Sequence, residues 1–466
     1  MRTLLWFRGK DLRVTDHGPL TEAAQGEVIP LFVLDPYFFE PARAAQLPHR
    51  MAFLLDSLRS LEANLEHLGS KLLVVPGRSA EVVPRLAEAW KVDRVLAHRW
   101  SEPFGRERDR RIEAALGRAG IPFRLFEGET LAQPGSVLNQ AGAFFGVFTP
   151  FARAFRAQAE VAPPLPAPRA LPPLPPDLRA ETVPIPTLGD LGLPENPRLQ
   201  RGGEKLARER LKAFLAGPLT GYAEGRDRLD LEGTSRLSAD LKFGTLSIRS
   251  LWQAVLRTEA PEADLRSYTN ELLWREFSHH LLWQRPELLT RPFRKDFEGF
   301  PWLDDEPAFA AWTEGRTGFP VVDAAARQLR ETGFVHNRAR MITASFLAKH
   351  LLQDWRRGEA NYLTWLTDGN WAQNNAGWQW SAGCGCDAQP WFRIFNPVLQ
   401  GERFDPEGRY VRAFLPELAE LDARWIHRPW TAPEPLRKRL DYPGPIVDPS
   451  IARERFLDTA RRHLKG

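Results

Sequence analysis

The sequence has little cysteine and no long apolar run. Among its 466 residues only Cys384 and Cys386 are cysteine, and two thiols cannot form a disulfide framework or a four-thiolate metal site. The N-terminal MRTLLWFRGKDLR returns to charge after a short apolar run, which is too short for a signal peptide or a membrane span. We therefore expect a protein of the reducing cytoplasm, with no membrane partner.

Tyrosine is also scarce, because 6 Tyr stand against 16 Trp. Core filling alone does not require this ratio, so the indoles need a further explanation.

Charge is nearly balanced, with a net charge of +4 and a pI near 9.1. A mildly basic chain permits a polyanionic partner without requiring one.

Short apolar runs alternate with amphipathic stretches in the first part of the chain. The runs TLLWF, VIPLFVL, KLLVV, RVLAH and FRLF, between Thr3 and Phe126, predict buried strands. RMAFLLDSLRSLEANLEHLG and AEVVPRLAEAW carry apolar residues at helical spacing, and Gly69 is placed to end the first of these helices. This alternation predicts a Rossmann-like α/β domain with a parallel sheet and helices on both faces.

Residues 163–197 are dense in proline, which excludes helix and central strand and favours an extended connector over a binding site for a proline-recognising partner. After Glu204 the patterns are helical throughout, which predicts an all-α domain large enough to enclose a cofactor. One such pattern, ARMITASFLAKHLLQDWRRG, runs from 339 to 358, and the last, SIARERFLDTARRHLK, from 450 to 465. The predicted boundaries are 1–130 for the α/β domain, 131–203 for the linker and 204–466 for the all-α domain.

The stretch LTDGNWAQNNAGWQW, from Leu366 to Trp380, sets indoles beside short carboxamides. Indoles supply flat faces and carboxamides supply directional donors and acceptors, so the combination suits a site that holds a flat polar ring system. Once a helix has begun, Asn370 and Asn374 lie one turn apart, as do Asn374 and Trp378.

Three other segments could carry chemistry. GTSRLS, from Gly233 to Ser238, can present donors to a phosphate, especially at a helix start, although an N-cap turn is an equal interpretation. NELLWREF places Glu271, Trp274 and Arg275 on one helix face, where the alternative is an exposed ion pair beside a core indole. In HNRARM, from His336 to Met341, a buried Arg340 would need a carboxylate, and Asp368 is the candidate.

The remaining metal-ligand residue types suggest no site. Cys384 and Cys386 in SAGCGCD have no nearby His, which favours structural cysteines in a glycine-rich turn over metal or redox chemistry. His279 and His280 lack metal-ligand spacing with other residues and are interpreted as structural. We expect no metal.

Taken together these segments resemble the photolyase/cryptochrome family, most closely its class I cyclobutane pyrimidine dimer DNA photolyases. The resemblance runs along nearly the whole chain: WFRGKDLRVTDH, GTSRLS, ELLWREF, TGFPVVDAAARQL, HNRARMITASFL, DGNWAQNNAGWQW and FRIFNPVLQGERFDPEG. It implies an α/β antenna domain joined by a long linker to an all-α FAD-binding domain. It also implies UV-damaged DNA as the partner, and we expect a monomer.

The resemblance implies a U-shaped FAD in the helical half. The residues implied to bind it are Tyr222, Thr234, Ser235, Arg236, Leu237, Ser238, Arg275, Asn337, Arg340, Asp368, Asn370 and Asn374. Asn374 would lie beside flavin N5. Asn370 departs from the family, which usually has Asp there against the flavin N3–O4 edge. An amide can still accept from N3–H, so we expect binding to survive and the missing charge to alter radical stability.

The resemblance also implies a substrate side, on which a flipped-out dimer is held between Trp274 and Trp380. The other implied lesion contacts are Asn337, Arg338, Met341 and Arg393. Glu271, if protonated, would donate to a thymine carbonyl and stabilise the radical anion. Trp302, Trp355 and Trp378 match the family's indole relay, which carries electrons from the surface to the flavin. A second, antenna chromophore is implied, and FGRERD, from Phe104 to Asp109, resembles the deazaflavin or FMN binders more than the folate type.

Three alternatives stay open. A cryptochrome-type blue-light receptor would use the same flavin and relay, although Met341 favours the dimer photolyases. A photolyase for the pyrimidone photoproduct would typically have a His pair where Asn337 and Arg338 stand. A helical flavoprotein oxidoreductase would need a nicotinamide site, and no G-x-G-x-x-G follows a predicted strand.

Overall fold

The computed structural model describes residues 1–179, 181–387 and 390–464. The strands of this part of the chain are β1 (Arg2–Phe7), β2 (Glu27–Leu34), β3 (Leu73–Pro76), β4 (Arg94–His98) and β5 (Phe123–Phe126). Its α-helices are α1 (Gly18–Ala23), α2 (Pro36–Phe39), α3 (Pro41–Ala44), α4 (Pro48–His67), α5 (Ser79–Ala89), α6 (Pro103–Arg118), α7 (Phe148–Gln158), α8 (Glu204–Ala216), α9 (Tyr222–Gly225), α10 (Ser238–Phe243), α11 (Ile248–Arg257), α12 (Glu262–Gln284), α13 (Glu306–Glu314), α14 (Pro320–Thr332), α15 (Asn337–Ser345), α16 (Trp355–Trp365), α17 (Trp371–Ala382), α18 (Pro397–Phe404), α19 (Arg409–Phe414), α20 (Ala423–Ile426), α21 (Glu434–Arg437) and α22 (Pro449–Leu464). Short 3₁₀ turns lie at Gly189–Leu191, Pro286–Leu289, Lys295–Phe297, Pro416–Leu418 and Pro429–Thr431.

The chain divides into two compact units. The first, called the sheet unit, comprises Met1–Thr220 and Ser235–Pro286; the second, called the helical unit, comprises Gly221–Thr234 and Glu287–Gly466. This division takes α8 and α10 to α12 into the sheet unit. The domain boundaries at 130 and 203 remain predictions from the sequence.

The sheet unit is built on a five-stranded parallel sheet in the order β3-β2-β1-β4-β5. All five predicted strands are confirmed. Successive side chains of a strand point to opposite faces: Leu4 and Trp6 pack with α5 and α6, whereas Leu5 and Phe7 pack with α4. Helices therefore cover both faces, as the alternating pattern predicted. The strand order reverses at β1, so the carboxyl ends of β1 and β4 lie side by side at a topological switch point.

The proline-rich segment follows the surface of the sheet unit. Leu171 donates its N–H to the Leu68 carbonyl at 2.7 Å, and Val183 donates to Val74 at 2.9 Å. Leu171 and Leu191 are buried in the same core cluster as α4. The segment predicted as linker also contains α7, which its sequence did not indicate because the proline-rich part dominates its composition.

The helical unit has its own core, which includes Val322 of α14, Ile342 of α15, Trp355 of α16 and Trp378 of α17. Among the described residues, we find no helix that combines the length and the apolar character needed to cross a membrane. The predicted C-terminal helix is described as far as Leu464, and residue 465 lies outside the described part.

One helical prediction was wrong. The pattern from 339 to 358 is interrupted: α15 ends at Ser345, a π-helical turn covers Phe346–His350, and α16 begins at Trp355. Leu352 has a left-handed backbone, with φ of 55°, and the Asp354 carboxylate caps α16 by accepting the Arg356 N–H at 2.9 Å. Apolar spacing continues across the break because both sides face one core, and this continuity hid the interruption.

Candidate active site

The candidate residues fall in both units. The sheet unit holds Ser235, Arg236, Leu237, Ser238, Glu271, Trp274 and Arg275. The helical unit holds Tyr222, Thr234, Trp302, Asn337, Arg338, Arg340, Met341, Trp355, Asp368, Asn370, Asn374, Trp378, Trp380 and Arg393.

Helix α12 carries Glu271, Trp274 and Arg275. Arg275 is buried and donates from Nη1 to the main-chain oxygen of Glu129 at 2.6 Å. The Glu276 carboxylate lies 3.6 Å from the same nitrogen, and burial raises the pKa of Glu276 to about 7. Arg275 is therefore oriented by the loop that follows β5, and is not part of the exposed ion pair that was the alternative.

Trp274 is partly exposed and stacks on Phe148 of α7, with ring centroids 3.8 Å apart and planes 7° from parallel. Glu271, three residues earlier, is also partly buried. The charge of Glu271 adds to the effect of burial in raising the pKa of Tyr268. A carboxylate and an indole thus neighbour each other on one part of α12.

The segment 235–238 is tied to α12. Tyr268 donates its hydroxyl hydrogen to Ser235 Oγ at 3.0 Å, and the Leu237 N–H donates to the same oxygen at 3.4 Å. Arg236 has a left-handed backbone, with φ of 52°. Helix α10 begins at Ser238, and no described side chain caps its start. Because the Leu237 side chain is buried, Leu237 could contact a cofactor only through its main chain.

Residues 221–234 fold back on themselves within the helical unit. A Cβ added at Gly233 would lie 2.9 Å from the Gly225 carbonyl oxygen, so a side chain there would be excluded. This close approach brings Thr234 towards α9, which begins at Tyr222. The Tyr222 ring is buried, and the Arg226 guanidinium lies 5.9 Å from its centroid.

The pairing of Arg340 with Asp368, predicted from the sequence, is confirmed. Nη2 of Arg340 donates to both carboxylate oxygens, at 2.9 and 3.2 Å, and Nε donates to the Val335 carbonyl at 2.8 Å. Arg340 retains 27% side-chain exposure, so it is less buried than expected. The pair joins α15 to the segment before α17.

Arg338 has partners different from those of Arg340. Its guanidinium lies 2.7 Å from the Asp227 carboxylate and 4.4 Å from the centroid of the Phe404 ring. Asn337 and Met341 share the other side of α15, where the Asn337 amide approaches the Met341 sulfur at 3.9 Å.

Asn370 is the N-cap of α17. Its Oδ1 accepts the N–H groups of Ala372 and Gln373, at 2.9 and 3.4 Å. A capping residue must present its acceptor to the helix, so the carboxamide nitrogen is the atom left to face a ligand. The sequence had led us to expect that the oxygen would accept from flavin N3–H, and it did not indicate this capping role.

A buried chain of amides runs along α17. Asn374 donates from Nδ2 to the Glu359 carbonyl at 3.0 Å, and Asn375 donates to the Glu359 carboxylate at 3.0 Å. Gln379 then donates to Asn375 Oδ1 at 3.0 Å and accepts the Phe293 N–H at 2.8 Å. Burial raises the pKa of Glu359 to about 7, against the opposing hydrogen bond from Asn375. The chain fixes α17 against α16 without using the Asn374 oxygen.

The three relay candidates lie on neighbouring segments of the helical unit. A Cβ at Gly358 would lie 2.1 Å from the Trp378 ring, so this glycine lets the indole pack directly on α16, three residues after Trp355. Leu303 donates its N–H to the Leu352 carbonyl at 2.7 Å, which places the Trp302 segment beside the start of α16. Trp378 and Trp355 are both buried, and Trp302 is partly exposed.

Trp380 is partly exposed and Arg393 is exposed. The main-chain oxygen of Arg393 accepts from Lys349 Nζ at 2.8 Å. Lys349 lies in the π-helical turn, and burial lowers its pKa to about 7. The sequence did not indicate this anchor of the Arg393 segment, because a lysine in a helical pattern is usually solvated.

A second cluster lies in the sheet unit, at the carboxyl ends of β1 and β4. The Arg8 and Arg108 guanidinium groups lie 5.5 and 4.4 Å from the centroid of the Trp100 ring, and Lys10 Nζ lies 4.9 Å from it. Arg8 pairs with Asp109 at 2.9 Å. Four nitrogens here are buried and make no hydrogen bond to any residue that the structure describes: Trp100 Nε1, Arg8 Nε and Nη1, and Arg108 Nε. FGRERD pointed to Arg108, but nothing local in the sequence joined it to Trp100.

Asp11, His17 and His98 form a buried group beside these strands, with candidate ligand atoms within 4.8 Å of one another. The His17 Nδ1 atom accepts the Leu20 N–H at 3.0 Å, so the neutral ring carries its proton on Nε2, which faces Asp11 at 3.8 Å. A metal at Nε2 would require the loss of this helix cap. Burial lowers the pKa of His17, and that of His98 to about 3, so both rings are neutral near pH 7. The group is a structural one.

The sheet unit contains a doubly wound parallel sheet, and the helical unit carries carboxamides, an Arg–Asp pair and packed indoles. These are the features that the sequence resemblance implied for an FAD-binding protein with an α/β domain. Two family models match this chain: "DNA photolyase" over residues 3–170 and "FAD binding domain of DNA photolyase" over residues 268–462. The chain belongs to the DNA photolyase family, and its helical part is an FAD-binding domain.

Individual proteins agree with this assignment. The deoxyribodipyrimidine photo-lyase of Thermus thermophilus is 43% identical over 465 residues, which cover 99% of each chain. A class III photolyase from Agrobacterium tumefaciens has a TM-score of 0.92 and 38% identity, covering 100% of this chain and 98% of that one. A Synechocystis cryptochrome has a TM-score of 0.91 and 30% identity, covering 98% and 99%. An archaeal photolyase from Sulfolobus tokodaii with two FAD molecules has a TM-score of 0.84 and 31% identity, covering both chains fully.

Proposed function

We propose that this protein is a light-driven deoxyribodipyrimidine photo-lyase that splits cyclobutane pyrimidine dimers in UV-damaged DNA. The observation that carries the proposal is helix α17 with its Arg340–Asp368 support, because one element presents the carboxamide of Asn374, the inner indole Trp378 and the outer indole Trp380 in succession. The full-length similarity to named photo-lyases supports the same conclusion.

The donor set fits FAD. Hydroxyls at Thr234, Ser235 and Ser238, with Tyr222 and the backbone of 236–237, suit a diphosphate and ribityl chain, and Arg275 supplies a buried cation. Asn337, Arg340, Asp368, Asn370 and Asn374 suit the polar edge of a flat ring. When bound, FAD supplies light absorption and the transferred electron. The Asn374 oxygen would accept a hydrogen bond from the bound ring, and the Asn370 amide nitrogen would donate one.

Residues of the substrate side would bind a flipped-out dimer. Trp274 and Trp380 offer flat apolar surfaces, Met341 and Asn337 extend the surface of α15, and the exposed Arg393 and the partly paired Arg338 suit phosphate contacts. Glu271, in its protonated form, would donate to a thymine carbonyl as negative charge develops there. The dimer takes up one electron, its two inter-base C–C bonds break, and the electron returns, so the reaction has no net redox change.

Electron supply would use Trp378, Trp355 and Trp302 in that order from the interior. The packing of Trp378 on α16 at Gly358, three residues after Trp355, supports electron hopping between the two indoles. The partly exposed Trp302 is the member that an external reductant could reach.

A second chromophore would bind at the cationic cluster of the sheet unit. Arg8, Lys10 and Arg108 around Trp100, with buried donors that lack partners, suit an aromatic ligand that carries negative charge. This favours a phosphorylated flavin or deazaflavin over a folate, and the Sulfolobus tokodaii photolyase with two FAD molecules is consistent with a flavin. We also propose a monomer located in the cytoplasm.

A cryptochrome-type light receptor is the second candidate, because a cryptochrome is among the similar structures. The deciding experiment incubates the photoreduced protein with a dimer-containing oligonucleotide under blue light and in the dark. A photo-lyase restores intact pyrimidines only in the light. A fully reduced, flavin-loaded protein that leaves the dimer unchanged in the light would overturn the proposal in favour of a receptor.

A further inference from the structure

The geometry points to Phe148 as a positioning residue that fixes the ring plane of Trp274 for lesion binding. This inference rests on the proposed function. Phe148 lies in the segment predicted as linker, and no family motif named above includes it. Its ring lies 3.8 Å from that of Trp274 at an angle of 7°, a parallel stack that covers one face of the indole.

Two further aromatic rings, Phe277 and Phe151, support the stack of Phe148 on Trp274. Phe277, one turn after Trp274, meets the Phe148 ring edge-on at 6.1 Å and the Trp274 ring at 5.8 Å. Phe151 of α7 is fully buried and contacts Phe277 at 5.2 Å. These ring contacts hold α7 against α12, so the Phe148 ring cannot follow Trp274 if the indole rotates.

A hydrogen bond between side chains also joins α7 to α12. Arg156 of α7 donates from Nη2 to Asn270 Oδ1 at 2.8 Å. This bond lies one turn before Trp274 on α12, so the two helices are joined on both sides of the indole.

Phe148 limits which surface of Trp274 a ligand can contact. The covered face is closed as long as Phe148 occupies it, so a dimer must approach the other face or the outer edge. A partly exposed indole would otherwise sample several rotamers, and ordering such a side chain at binding weakens affinity. Phe148 removes this cost in advance, and it defines the single side from which the lesion enters.

The test compares Phe148→Ala with Phe148→Tyr in the full-length, flavin-loaded protein. Binding is measured in the dark, on a duplex with one cyclobutane dimer and on the same undamaged duplex. We expect Phe148→Ala to weaken binding to the damaged duplex by about 3- to 10-fold, the range of one aromatic stack, with no change on undamaged DNA. Phe148→Tyr preserves the stack and should bind within about twofold of the wild type.

A double-mutant cycle separates positioning from folding. On a Trp274→Ala background, Phe148→Ala should cause no further loss of lesion preference, because the ring that it positions is gone. An additive loss, or an equal loss on both duplexes, would overturn the inference. Flavin absorbance and thermal unfolding report folding, and Phe148→Leu replaces Phe148→Ala if the latter does not fold.

Binding by the wild type tests the proposed function, and binding by Phe148→Ala tests the role of Phe148. A wild-type protein that binds damaged and undamaged duplexes equally would refute the proposed function itself. A wild-type protein with a clear preference that Phe148→Ala fully retains would refute only the role of Phe148.

Discussion

Glu359 provides a sensitive test of the electrostatics around α17. Glu359 as a residue is 5% exposed. Its carboxylate accepts from Asn375, and its main-chain oxygen accepts from Asn374. Burial raises its pKa from the ordinary 4.5 to about 7. Glu359→Gln preserves the shape and an acceptor for Asn375 and removes only the titration.

The sign of the effect follows from proton binding. Between pH 4.5 and 7 the folded protein holds a proton on Glu359 that the unfolded chain has released, so wild-type stability falls as pH rises through this window. A change in pKa from 4.5 to about 7 corresponds to about 3 kcal/mol at 1.36 kcal/mol for each pKa unit. The Glu359→Gln variant does not lose stability in this way as the pH rises. Near pH 4.5 its free energy of unfolding should be equal to or lower than that of the wild type, and above pH 8 it should be higher by up to about 3 kcal/mol.

Urea unfolding at several values of pH between 4.5 and 8.5 measures this difference for wild type and variant. Other buried carboxyls titrate identically in both proteins, so the difference isolates Glu359. The exposed Glu420 offers a matched control, since Glu420→Gln should leave the pH profile of the wild type in place. A stability difference between Glu359→Gln and wild type that stays constant across this range would refute a protonated, buried Glu359.

Three further outcomes are expected. Asn370→Ala should lower the free energy of unfolding by about 1–2 kcal/mol in thermal or urea unfolding because it removes the cap of α17, whereas Asn370→Asp keeps a capping oxygen; equal losses would contradict the capping role. Trp378→Phe should abolish photoreduction, followed by flavin absorbance, and leave repair by the chemically reduced protein intact. Trp312→Phe, in a ring that contacts Trp378 at 5.9 Å without lying on the proposed relay, is the matched control; photoreduction that survives Trp378→Phe would require another route. Affinity for DNA should fall steeply with salt in binding titrations, through phosphate contacts; a salt-insensitive affinity would contradict such contacts.

Local sequence was sufficient for the elements that depend on spacing alone. The five strands and long helices such as α4 and α5 follow from apolar periodicity, because each element buries one face whatever its neighbours are. The Arg340–Asp368 pair was also predictable, since a guanidinium that faces inwards needs a carboxylate and the next segment offered one. The likeness to a known family then supplied cofactor and substrate, which periodicity could not.

Other features depend on residues that are distant in the chain. Arg8 and Arg108 meet around Trp100 only because the sheet order sets β1 beside β4. Phe148 reaches Trp274 across more than a hundred residues, and its own helix lies in the segment that was predicted as linker.

The stretch around Asn370 depends both on local composition and on contacts made by the tertiary structure. Its composition indicated a ring-binding site, yet the atom that each carboxamide presents was decided by the cap of α17 and by the carbonyl of Glu359. Hydrogen-bond direction is set by which partner the fold brings within reach, and the residue type leaves both ends of an amide available. For this protein, sequence determined the elements and the chemical types of the site, and tertiary structure decided which atoms and faces remain free to act.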